Sequence, residues 1–176
     1  MRSDARRNRE RLVAAAREAF ASGEPKVSLD SVARAARVGI GTLYRHFPTR
    51  EALAEAVYQT EFAALRDSAA ELLAELPPDA ALRAWMARFG EYVATKREMA
   101  EALRAVIATI PLSAKRAELA EAARTVLEAG AADGSLRPDV LPEDVVAAVV
   151  GIHLATPDDP EQAARILDLF MDALRP

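Results

Sequence analysis

Residues 38–51 read VGIGTLYRHFPTRE, and three of them are poor choices for a helix in a chain rich in Ala and Leu. A glycine such as Gly41 inside a helix costs about 1 kcal/mol relative to alanine. His46 is one of only two histidines in the chain. Arg50 opens the next helix, where the helix dipole disfavours a cation. Pro48 disfavours helical geometry at Phe47, so the short helix runs from Ile40 to His46. At about 100° per residue, Ile40, Leu43 and Phe47 cluster as an apolar underside. Gly41, Thr42 and Arg45 point the opposite way, with Tyr44 and His46 on the flanks.

This pattern suits a helix laid in the major groove of double-stranded DNA, where outward side chains meet base edges. Gly41 lets the backbone approach closely. Thr42 can touch a thymine methyl or a base edge, and Arg45 can pair with a guanine. Tyr44 and His46 meet phosphates of the two strands. Arg50, with Glu51 offsetting part of its dipole penalty, invites a phosphate to the start of the following helix. Taken singly, each residue has an ordinary explanation as a surface histidine, a tolerated glycine or a solvated charge. As a set behind a basic helix, they point to DNA.

The flanking sequence supports that reading. Ser28 is a good N-cap for a short helix ending near Ala36, with Asp30 in its first turn and Leu29, Val32, Ala33 and Ala36 as its buried stripe. Such a helix, one tight turn upstream, would brace its neighbour over the DNA backbone. Ser28 and, in the turn, Arg37 join the candidate DNA contacts. Further upstream, a helix from about Ala5 to Ala21 presents Leu12, Ala15, Ala16, Ala19 and Phe20 to a core. Its first turns carry Arg6, Arg7 and Arg9, candidates for phosphate or minor-groove contacts, and "SGEPK" ends it. Downstream, Thr49 caps a long helix over about 50–75, closed by "LPPD".

The 176 residues carry a net charge of −4, which hides +6 in residues 1–50 and −10 in the remainder. One end is built to meet an anion. No long run alternates at period two, so the expected fold is all-α. The absence of cysteine removes disulfides, thiolate nucleophiles and Cys-ligated metals. The basic N-terminus has no apolar stretch behind it, unlike a signal peptide. The longest uncharged run, Val145–Pro157, is shorter than the roughly 20 apolar residues a bilayer needs. A cytoplasmic protein with no membrane partner and no cofactor is expected.

The second half reads as more helices, for nine in all. Residues 79–96 present Leu82, Trp85, Met86, Phe89 and Val93. Residues 98–110 present Met99, Leu103, Val106 and Ile107 up to Pro111. Helices over 114–132, 142–154 and from Pro160 follow, the last with Asp159, Pro160 and Gln162 as its start signal. Trp85, Met86, Phe89 and Tyr92, with Met99, Leu103 and His153 opposite, are candidates for a ligand pocket; residue by residue, an ordinary helical core is the stronger reading. The run "VVAAVVGIHL" is too apolar all round for a helix facing water. Val146, Val149 and Val150, with Ile166, Leu167, Phe170, Met171 and Leu174, are therefore expected to form a four-helix homodimer interface. Two domains are expected, 1–52 and 53–176, joined through the helix at about 50–75.

The stretch "SLDSVARAARVGIGTLYRHFPTREAL", residues 28–53, resembles the helix-turn-helix of the tetracycline-repressor (TetR) family of bacterial transcription regulators. The likeness covers about residues 8–60 and implies an all-helical homodimer with a three-helix DNA-binding domain and a ligand-binding domain. It implies that Thr42, Tyr44, His46 and Arg50 stand at DNA-contacting positions. It also implies a repressor on a palindromic operator, released by a small-molecule effector. "LRAWMARFGEYVATKREMAEALRAVI", residues 82–107, resembles the branch with an SbtR-like C-terminal domain. Two residues depart from the family pattern: Arg37 replaces a turn glycine and Gly39 replaces Ser or Thr. A left-handed arginine costs roughly 1–2 kcal/mol, so either Gly39 absorbs the turn geometry or Arg37 gains a phosphate. The connection "FASGEPKVSL" also looks one residue short.

An enzyme is the first rival. Its case is poor: the histidines are 107 residues apart, and there is no Gly-rich phosphate loop and no HExxH spacing. A helical module that binds only protein is the second rival, and salt dependence separates it, because binding through phosphates falls steeply with salt.

Overall fold

A computed structural model describes residues 2–21, 27–100, 103–104 and 112–176. Eight helices are found among them: α1 (Arg2–Ala21), α2 (Leu29–Ala35), α3 (Ile40–His46), α4 (Arg50–Glu75), α5 (Pro78–Glu98), α6 (Leu112–Asp133), α7 (Pro142–Ala155) and α8 (Pro160–Leu174). No strand occurs among the described residues. The ninth expected helix, 98–110 with Val106 and Ile107, falls for most of its length outside the described residues. So do Pro111 and the "SGEPK" break with its shortened connection. The chain divides into two compact units, Met1–Glu61 with Thr95–Ile110, and Phe62–Ala94 with Pro111–Pro176. The first unit thus runs beyond residue 52, because the first turns of α4 bury Leu53, Ala54 and Val57.

In the first unit, α1, α2 and α3 pack on one another. Their shared core is Leu12, Ala16 and Phe20 of α1, Val32 and Ala33 of α2, and Leu43 of α3, with Phe47 just beyond it. This is the helical spacing read from the sequence, with two corrections. Ile40, expected on the buried underside, is exposed. It is the first residue of α3 and projects past the end of the three-helix core. Leu29 is only half-buried, because it too is the first residue of its helix.

The turn between α2 and α3 carries the chain's unusual backbone. The Val38 amide donates to the Ala33 carbonyl at 2.9 Å and the Arg37 amide to the Arg34 carbonyl at 3.0 Å. This pair of bonds is the Schellman closure, in which the residue after the cap turns left-handed and glycine is preferred. Here that residue is Arg37, with φ 53. Gly39, at φ −63, takes an ordinary extended conformation and relieves none of the strain. Arg37→Gly is expected to stabilise the fold by about 1 kcal/mol, read as a higher urea midpoint at unchanged slope. A lower midpoint would mean that the Arg37 side chain returns more than the turn costs.

In the second unit, Trp85, Phe89 and Tyr92 stack edge-to-face along α5, at centroid distances of 5.7 and 6.0 Å, and Phe62 of α4 extends the chain at 6.2 Å. The Trp85 indole N–H donates to the Leu65 carbonyl at 3.0 Å. Arg83 of α5 reaches Asp168 of α8 at 2.6 Å. The α6–α7 and α7–α8 pairs complete the unit. Asp159 caps α8 by accepting from the Gln162 amide at 2.8 Å. Among the described residues, no helix is long and apolar enough to cross a membrane.

Candidate nucleic-acid interface

The exposed face of α3 is short and mostly small. Gly41 is exposed and Thr42 half-buried. Arg45 folds back along the helix, its Nε donating to the Gly41 carbonyl at 3.1 Å and an Nη to the Thr42 hydroxyl at 3.0 Å. The two side chains read as base-contacting are therefore hydrogen-bonded to each other in the free protein. These are single exposed bonds of about 1 kcal/mol, so a guanine edge can replace them. Tyr44 is 51% exposed. The half-buried His46 ring lies 6.2 Å from that of Phe47, tilted at 45°.

Arginines surround this helix on aromatic supports. The Arg9 guanidinium lies 5.4 Å over the Phe47 ring and that of Arg50 5.9 Å over Phe20. Both rings are themselves buried, Phe20 at 4% and Phe47 at 3% exposed. A cation held on an aromatic face is pre-oriented at small entropic cost. Thr49 caps α4 by accepting from the Ala52 amide at 3.1 Å, which places Arg50 in the first turn. The Arg50 Nε is buried and has no hydrogen-bond partner among the described residues. Arg50 as a residue is half-buried, so a small turn of its guanidinium would bring that donor to an anion at the helix start.

The remaining candidates divide. Arg37 is exposed in the strained turn. The Ser28 hydroxyl makes no capping bond to α2, where backbone geometry alone forms the cap. Arg6 and Arg7 lie within α1 and are paired along it, Arg6 with Glu10 at 3.2 Å and Arg7 with Asp4 at 2.6 Å. The Arg7 hydrogen bond holds the Asp4 carboxyl below the usual carboxylate range. Since α1 begins at Arg2, these arginines project from a helix. That suits phosphates better than the minor groove, which is read by extended arms.

The pocket candidates are buried, save the half-buried His153. Trp85, Met86, Phe89 and Tyr92 are buried in the second unit; Met99 and Leu103 are buried residues of the first. His153 donates its Nε2–H to the Met86 carbonyl at 3.1 Å. Its ring lies so close to Gly90 that a Cβ there would come within 2.5 Å of it. The histidine is thus a fitted packing residue between α7 and α5.

The interface candidates differ in how far their own chain covers them. Val146, Val149, Leu167, Met171 and Leu174 are buried within the single chain. Val150, Ile166 and Phe170 are half-buried. The large apolar residues left uncovered are Leu154 of α7 and Leu169 of α8, 65% and 69% exposed, and the exposed Ala147 and Gly151 share the Leu154 side of α7 by helical spacing. Sequence reasoning did not find Leu154 and Leu169. It also missed the roles of Phe20 and Phe47 as arginine supports, having read Phe20 and Phe47 only as core.

Comparison with known proteins agrees with this layout. Residues 12–57 match the bacterial regulatory proteins of the tetR family, and residues 77–176 match the C-terminal domain of SbtR-like transcriptional regulators. No curated protein matches the chain. Among solved structures, a TetR transcriptional regulator from Streptomyces coelicolor is 48% identical, over 96% of this chain and 98% of its own, with a TM-score of 0.84. A TetR transcription regulatory protein from Mycobacterium vanbaalenii is 31% identical over 99% of both chains, with a TM-score of 0.79. A gamma-butyrolactone receptor, 22% identical over 98% of this chain and 90% of its own, shares the fold at a TM-score of 0.61.

Proposed function

The chain belongs to the TetR family of bacterial regulatory proteins, and from that premise we propose that it is a dimeric repressor that holds a palindromic operator through α3 and releases it when a small molecule binds. It is a DNA-binding transcriptional regulator, not an enzyme. The observation that carries the finer reading is Arg9 and Arg50 laid on aromatic rings beside α3, with the buried Arg50 Nε unpaired among the described residues at the start of α4. Thr42 and Arg45 read bases after exchanging their mutual bond for the groove. Tyr44, His46, Arg50 and Arg9 hold phosphates, with Arg6, Arg7, Ser28 and Arg37 at the edge of the contact.

Residues 1–52 serve DNA and residues 53–176 serve the effector and the dimer. The effector is a small molecule, since the same fold serves a gamma-butyrolactone receptor. A dimer presents two copies of α3 to half-sites about 34 Å, or one helical turn, apart.

Arg50→Ala tests the phosphate arrangement. It is expected to weaken binding to all duplexes alike and to lower the slope of log affinity against log salt by about 1 per subunit. The measurement is fluorescence anisotropy of a labelled operator across a salt series. An unchanged slope would remove Arg50 from the phosphate contacts.

A further inference from the structure

The residue of α3 whose position departs most from its helical pattern is Ile40. Leu43 and Phe47, which share its face by spacing, are 0% and 3% exposed, whereas Ile40 is 39% exposed. It opens α3, and the N-terminal residues of the second helix in a helix-turn-helix are those that reach base edges. On both sides its neighbours are glycines. A Cβ built on Gly39 or Gly41 meets nothing within 4 Å among the described residues. Gly39 is extended and Gly41 helical, conformations open to any residue. The packing of the described residues therefore requires neither glycine. Together they strip the start of α3 of every side chain but that of Ile40. Along the helix, Thr42 and Arg45 are bonded to each other.

We propose that Ile40 is a specificity-determining residue that packs against the C5-methyl group of a thymine in the major groove, an inference that rests on α3 being the DNA-reading helix. The chemistry selects the partner. The Ile40 side chain has no donor and no acceptor. Major-groove edges of adenine, guanine and cytosine offer donors and acceptors, and thymine alone adds a methyl group. An isoleucine pressed on the cytosine amino group would strip its water and return no bond. Pressed on a thymine methyl, it buries apolar surface on both partners. Ile40 therefore favours thymine over cytosine at one position of each half-site. The flanking glycines keep the backbone low enough for the contact.

Replacing single thymines of a bound operator duplex by deoxyuridine removes the methyl and nothing else. With the wild-type protein, one position in each half-site is expected to lose about fourfold in affinity. Ile40→Ala is expected to bind more weakly and to show no further loss at that position. Ile40→Val is expected to fall between them. Ile40 is exposed, so the variants are expected to fold, and circular dichroism checks this. An Ile40→Ala protein with the full wild-type uracil penalty overturns the assignment, as does a wild type indifferent to uracil at every position. A wild type that binds no duplex overturns this inference together with the DNA-reading function itself.

Discussion

Leu169→Glu is expected to leave a folded monomer that binds operator duplex more weakly by on the order of a hundredfold or more, because the two half-sites are no longer held by one linked particle. Leu169 is 69% exposed on α8 and Leu154 is 65% exposed on α7. On the same two helices Gly151 is exposed and Val150, Ile166 and Phe170 are half-buried. A single chain covers little of Leu169, so a glutamate there costs the monomer almost nothing. In a dimer closed on this face the carboxylate is buried without a partner, which costs several kcal/mol. The Phe170→Glu change is a less clean probe, since Phe170 is partly buried in its own chain. Light scattering and anisotropy on the same sample decide the matter. A persistent dimer with undiminished affinity would put the seam on another face.

Trp85→Ala is expected to lower stability by roughly 3–5 kcal/mol, the range for emptying a buried aromatic site. Trp85 has no exposed surface, stacks on Phe89 and donates its indole N–H to the Leu65 carbonyl. For a chain of this size, that corresponds to a fall in Tm of about 10 °C. Trp85→Phe keeps the ring and loses the bond, and is expected to cost markedly less. If Trp85→Ala moves Tm by only a degree or two, Trp85 does not hold the second unit together.

Much of this molecule was legible in the sequence because its signals were local. Pro48 and the 3–4 spacing bounded α3 at Ile40–His46, and Thr49 and Asp159 capped α4 and α8 as their residue types dictate. The C-terminal face was less legible. A stripe such as Ile166, Leu167, Phe170, Met171 and Leu174 tells that these residues avoid water, but not which of them the chain itself covers. Leu167, Met171 and Leu174 are covered by their own chain, and the uncovered residue is Leu169. Ile40 failed for a similar reason. Periodicity assumes that a core continues past the helix end, and at residue 40 it does not. The Arg9–Phe47 and Arg50–Phe20 pairs join residues 38 and 30 positions apart, which no spacing rule reveals. Arg37 was the reverse case: one departure from a turn glycine correctly marked the strained residue.

The most direct test of the central claim, that α3 of a dimer reads DNA, is selection of bound duplexes from a random pool at two salt concentrations. The expected result is enrichment of a palindrome with half-sites one helical turn apart, containing thymine opposite the start of α3, and an affinity that falls steeply with salt. Failure to enrich any sequence at either salt would contradict the account.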